Sequence, residues 1–169
     1  MSTSLRFGVK LGLLASVIGI ALAIPYLFVG FSMDIVGTGA TSWPLVLENL
    51  VPALLLLMVG SLAARRGLGP SQTAAGFGAS YGLVAGMAHW VAAVAMPKKA
   101  TLIHAMEFVA MAHGKTLNAT NRQILSNSVQ HPNFISLVFY NALELALFGV
   151  VLGWIGGQSG RHRQPIGRN

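Results

Sequence analysis

Four long apolar runs, at about residues 7–29, 43–64, 73–96 and 134–155, leave this chain little freedom in how it folds. Each is long enough to cross the roughly 30 Å hydrocarbon layer of a bilayer as a helix, which takes about 20 residues. Inside lipid every backbone N–H and C=O must find its partner within the protein, so an isolated apolar run has to be helical. The composition agrees, with 54% hydrophobic and only 9% charged residues against about 25% charged in ordinary soluble domains. The expected fold is all-α, an integral membrane four-helix bundle. It forms one domain over residues 1–157, followed by a basic tail over 158–169. Arg6, Lys10 and the triplet Ala21-Leu22-Ala23 imitate a signal peptide, and this stretch is read here as an uncleaved first span.

Within the third run, Gly78, Gly82 and Gly86 recur every four residues. Four residues overshoot one helical turn by only about 40°, so the three glycines line up as a bare groove. In an apolar helix this GxxxG-type spacing marks close packing against another backbone. Span one carries a similar ridge through Gly8, Gly12 and Gly19, and span four ends in Gly149, Gly153 and Gly157. A shift of 70 residues aligns Gly12, Leu13 and Ala15 with Gly82, Leu83 and Ala85. From this we expect spans one and three to be equivalent members of two hairpins, their glycine ridges facing each other and His89 meeting Gly19.

The connections set the topology. Gly67 to Ser71, with Gly69 and Pro70, is short enough to force spans two and three into an antiparallel pair. Residues 97–132 form the longest polar stretch and are expected on the outer side, with one amphipathic helix over Thr101 to His113 and a second opened by a Thr120/Gln123 capping box. Arg6, Lys10, Arg65, Arg66, Arg161, Arg163 and Arg168 flank the opposite side, against Lys98, Lys99, Lys115 and Arg122 in the long loop. The excess of positive charge places both termini in the cytoplasm of an inner-membrane, multi-pass protein. The net charge of +7 thus reads as topology rather than as a nucleic-acid surface.

An ionisable group inside a span is costly to bury and marks a candidate site. Glu144 lies near mid-membrane in span four, roughly opposite the line through Gly149 and Gly153. Asn141, His89 and Glu48 belong to the outer halves of their spans and could converge under the long loop. Glu48 and Asn49 can equally cap the start of span two. A neutral imidazole ligates haem or a chlorophyll-type pigment well, so His89 is the one cofactor position. His104, His113 and His131 lack the i, i+4 spacing of a metal-binding helix, and no metal site is expected. Absence of cysteine removes thiolate ligands and nucleophiles. No Walker loop, zinc-protease helix or nucleophile elbow occurs. Asn118-Ala119-Thr120 fits the glycosylation acceptor pattern.

The glycine-rich spans one and three, Arg65-Arg66-Gly67 after span two, the long outer loop and Tyr140-Asn141-Ala142-Leu143-Glu144 in span four give an arrangement that resembles uncharacterised bacterial four-span membrane proteins of unknown function. That resemblance implies a small bacterial membrane protein and assigns no residue a role. The leading expectation is a non-enzymatic accessory or assembly subunit of a larger inner-membrane complex, its partners being the bilayer and other membrane subunits. It rests on more helix-contact ridges than one bundle needs. The alternatives are a small transporter or channel using Glu144 with Glu48, His89 and Asn141, and a pigment- or haem-binding subunit through His89.

Overall fold

The computed structural model describes residues 1–28, 43–95, 118–120, 123, 127 and 131–161, with side chains for all of these except 25–28, 43–48 and 161. The first loop, most of the outer loop with its two expected helices, and the tail beyond residue 161 lie outside the described residues. Everything regular in the described residues is helical. Helix α1 covers Thr3–Phe28, α2 Trp43–Arg65 and α3 Pro70–Ala95; a π-helical segment, Ile135–Tyr140, runs directly into α4, Asn141–Arg161. Three stretches are long and apolar enough to cross a membrane: Thr3–Ile24, Pro70–Ala95 and Ile135–Gly160. The described apolar part of α2, Asn49–Arg65, is shorter. Helix α1 continues past Pro25, and α4 runs beyond residue 157 into the stretch expected to be tail. Ala119 and Thr120 are already helical, so Asn118, not Thr120, stands before that helix start.

The helices do not close into a ring. Helix α1 packs on α3, α3 packs along α4, and α2 packs on α4 and less extensively on α3, whereas α1 touches α2 little. The two hairpins are therefore not equivalent, against the duplication suggested by the Gly12/Gly82 alignment.

The glycines show why the order is α1–α3–α4–α2. A Cβ at Gly8 or Gly12 would overlap the Thr73 or Phe77 carbonyl, and one at Gly19 would stand 2.7 Å from the Ala85 Cβ. The α1 ridge thus lies parallel to the Thr73, Phe77, Ser80, Ala85 face of α3. Gly78, Gly82 and Gly86 lie on a different face, where added methyls would strike the backbone at Leu145, Ala142 and Leu137. This corrects the expectation that the span-one and span-three ridges face each other. Gly149 and Gly153 complete the same α3–α4 seam, receiving Ala74 and Pro70. One antiparallel seam therefore carries both glycine series: α3 supplies the bare surface along its middle, and α4 supplies it toward the end near Pro70. Close backbone approach gives such a seam dispersion contact that lipid chains do not replace.

Ser80 and Thr73 are tolerated in the seam because their hydroxyls find backbone carbonyls: Ser80 Oγ lies 2.9 Å from that of Gly76 in its own helix and 3.2 Å from that of Val9 in α1, and Thr73 Oγ1 donates to that of Gly69 (2.9 Å). Phe77 and Tyr81, stacked at 5.6 Å between ring centroids, form the largest part of the core with Leu56 and Val59. Large aliphatic side chains outside these seams, such as Leu14, Met58 and Leu147, are exposed, as lipid-facing positions are.

The α2–α3 turn closes as a Schellman motif. Leu68 N–H donates to the Ala63 carbonyl (2.9 Å) and Gly67 N–H to that of Ala64 (3.1 Å), with Gly67 at φ +67°. A Cβ on Gly67 meets nothing within 4 Å, so only backbone strain opposes a side chain there. Gly67→Ala is expected to cost about 1–2 kcal/mol, seen as a lower Tm of the helical circular-dichroism signal without change in its amplitude. Equal Tm values would show that the left-handed turn is not retained.

Candidate functional site

The seams that involve α2 and α4 are concentrated toward the Arg65 end. Gly60 lies against Gly153, Gly156 against Leu57, and Gly160 against Ser61. Toward the opposite end α2 contributes Asn49, Pro52 and Ala53 to the lining of a cavity of about 660 Å³. All four helices contribute to this space. Leu22 represents α1 there; Tyr81, Ala85 and His89 come from α3, and Tyr140, Asn141 and Glu144 from α4. Leu56 and Tyr81, both almost fully buried, mark its inner wall.

Three of the four expected polar residues, Glu144, Asn141 and His89, thus meet at one cavity. The fourth, Glu48, is the helical residue before Asn49, and its side chain falls outside the described ones. Glu144 is exposed along this wall rather than enclosed by the helices. It lies nine residues beyond the start of the Ile135–Gly160 stretch, roughly 13 Å along the axis at 1.5 Å per residue.

Local structure fixes the other polar groups. Asn141 Nδ2 donates to the Gly82 carbonyl at 3.2 Å. That bond pins the side chain to the α3–α4 seam at the level where a Cβ on Gly82 would stand 2.8 Å from Ala142 Cα. Since a carbonyl only accepts, the amide nitrogen faces Gly82 and Oδ1 remains Asn141's acceptor. His89 Nδ1 lies 2.8 Å from the Ala85 carbonyl of its own helix and so carries the proton in that contact, while Nε2 is buried. With the proton on Nδ1, the lone pair of the ring lies on Nε2. Gly19 meets Ala85 and Tyr81, not His89.

Aromatic residues tie the end of α3 to the start of the π segment. Trp90 Nε1 donates to the Pro132 carbonyl (3.2 Å), and its ring meets Phe134 edge-on at 5.2 Å. Asn133 Oδ1 then accepts from the Ser136 N–H (3.2 Å), capping the π segment. A π turn holds an extra residue, offsetting the helix faces before and after it. Ser136, Leu137 and Tyr140 within the π segment and Asn141 and Glu144 after it all line the cavity.

The sequence reading did not single out Tyr81 or Tyr140 as site residues and took Asn49 for a cap. A tyrosine between Gly78 and Gly82 was the available signal for Tyr81. Among the described residues no group of three or more His, Cys, Asp or Glu side chains is placed to hold a metal ion. The described residues define a helical membrane-type chain with three stretches long and apolar enough to cross a membrane and, among its helices, a mainly apolar cavity that carries Asn49, His89, Asn141 and Glu144. Compared with protein-family models, with curated proteins and with solved structures, the chain finds no match in any of the three.

Proposed function

We propose that this is a small multi-pass inner-membrane protein, non-enzymatic and with both termini cytoplasmic, that binds a small solute in the four-helix cavity as part of a transport function. One observation carries the reading. Glu144 and Asn141 of α4 and His89 of α3 line a single cavity whose volume falls within the roughly 300–1,000 Å³ of small-molecule sites. The excess of basic residues at the termini and the Arg65 turn supports the orientation.

The accessory-subunit reading rested on surplus helix-contact ridges. Gly8, Gly12, Gly19, Gly78, Gly82, Gly86, Gly149 and Gly153 each meet another helix of the same chain. No surplus is left among them to call for a partner, so the cavity becomes the better guide.

The absence of cysteine makes the test direct, since single-cysteine variants need no altered background. Ala53→Cys and Ser136→Cys, in the cavity wall, are expected to react with a membrane-impermeant, water-soluble thiol reagent in nanodiscs at least about tenfold faster than Leu143→Cys and Leu147→Cys on the exposed apolar face. The basis is that a thiol in lipid is shielded from water and stays protonated. Equal rates at all four positions would overturn the solute-binding reading.

A further inference from the structure

We infer that the cavity is a site for an organic ammonium, a cationic nitrogen bearing an apolar substituent. The inference rests on the solute-binding reading above and narrows it to one class of ligand. Charge is the first argument. Glu144 is the only acidic residue among the described lining residues, which include neither Lys nor Arg. An anion would meet the carboxylate with no cationic side chain there to compensate it.

Hydrogen-bond polarity is the second. One amide N–H of Asn141 is held by the Gly82 carbonyl, so this residue, one turn before Glu144 and on the same side of α4, keeps Oδ1 and its second N–H. The Glu144 carboxyl oxygens and Asn141 Oδ1 are acceptors that suit a ligand bearing N–H donors. His89 adds ring surface, its Nδ1 being turned to the Ala85 carbonyl and its Nε2 buried.

Wall chemistry and size are the third. Tyr81, Tyr140 and Phe148 line the same cavity as the carboxylate, and aromatic faces attract organic cations through their quadrupoles. About 660 Å³ is far more space than a bare metal ion occupies. Such an ion would also seek several carboxylate or imidazole ligands, and the described residues offer no such cluster.

Four probes separate these terms: benzylammonium, benzyl alcohol and benzoate, which share a ring and differ in charge, and potassium, which has charge without a ring. Binding to the full chain in nanodiscs is measured by equilibrium dialysis against empty nanodiscs. Benzylammonium is expected to bind roughly tenfold or more tighter than benzyl alcohol, as hydrogen bonds to charged groups imply. Benzoate should not bind, and excess potassium should not displace benzylammonium. Glu144→Gln should reduce benzylammonium to the level of benzyl alcohol, and Tyr140→Leu should weaken it several-fold. The wild-type series decides without either variant. Equal affinity for the alcohol, preference for benzoate, or displacement by potassium each overturns the ammonium assignment. If no probe binds while Ser136→Cys still reacts rapidly with the thiol reagent, the ammonium assignment falls and the cavity reading stands. If Ser136→Cys is also inert, both fall.

Discussion

Gly82→Leu is expected to abolish the folded protein, with a cost on the order of 3 kcal/mol or more, the upper end for overpacking a rigid core. The reason is what lies opposite. A Cβ at Gly82 would stand 2.8 Å from Ala142 Cα and 3.0 Å from the Asn141 carbonyl oxygen, and backbone has no rotamer by which to yield. Moving α4 away to make room would also break the Asn141–Gly82 hydrogen bond and disturb the neighbouring contacts at Gly78 and Gly86. Leu83→Met, the next residue and on the exposed face, is the control and should leave Tm almost unchanged. Size-exclusion profile and thermal unfolding in mild detergent are the measurements. A Gly82→Leu protein that elutes and melts like the wild type would show that the α3–α4 seam is not as close as described.

The same seam shows how far the sequence could be read. A four-residue glycine spacing defines a line along one helix, and that line does become an interface. It holds no information on which neighbour arrives, because this depends on what the other helices can present. Helix α1 settles on a face of α3 that looks unsuitable in sequence, with Thr73, Phe77 and Ser80. Their suitability appears only once the hydroxyls are seen to reach backbone carbonyls, Thr73 that of Gly69 and Ser80 those of Gly76 and of Val9 in α1, so that neither is buried unpaired. With that face taken by α1, Gly78, Gly82 and Gly86 are left for α4.

The candidate site divides along similar lines. Glu144 and Asn141 were legible because an ionisable or amide group in an apolar run is conspicuous, and a spacing of three puts the two on one side of a helix. Gly67 was legible as a turn residue, and the structure gives it the left-handed conformation that the Schellman motif needs. The π segment was not legible. Ile135–Tyr140 carries no proline or glycine to announce a change of winding. The role of Tyr81 also escaped, since a core aromatic and a cavity-lining aromatic look alike until the space beside them is seen.

The cavity itself depends on residues remote from its polar groups, and this yields the second large expected effect. Helix α2 is held to α4 where Gly60 meets Gly153 and Gly156 meets Leu57, while its cavity-lining residues Asn49, Pro52 and Ala53 lie about one to three turns away. A Cβ on Gly156 would stand 2.9 Å from the Leu57 carbonyl carbon and 3.1 Å from its Cα, so Gly156→Leu must lever α2 outward. Helices α1, α3 and α4 keep their own seams, and helical circular dichroism should therefore persist. In this background Ala53→Cys, on the displaced wall, is expected to change its thiol-labelling rate several-fold, whereas Ser136→Cys, next to the α3–α4 seam, should keep its rate within about twofold, since sites without shared contacts respond nearly independently. Benzylammonium affinity should fall by roughly tenfold or more, because a wall moved by an ångström or two no longer holds a ligand against Glu144. Unchanged labelling at Ala53→Cys together with unchanged affinity would mean that α2 is not a wall of the site. The binding determinants would then have to lie on α3 and α4 alone.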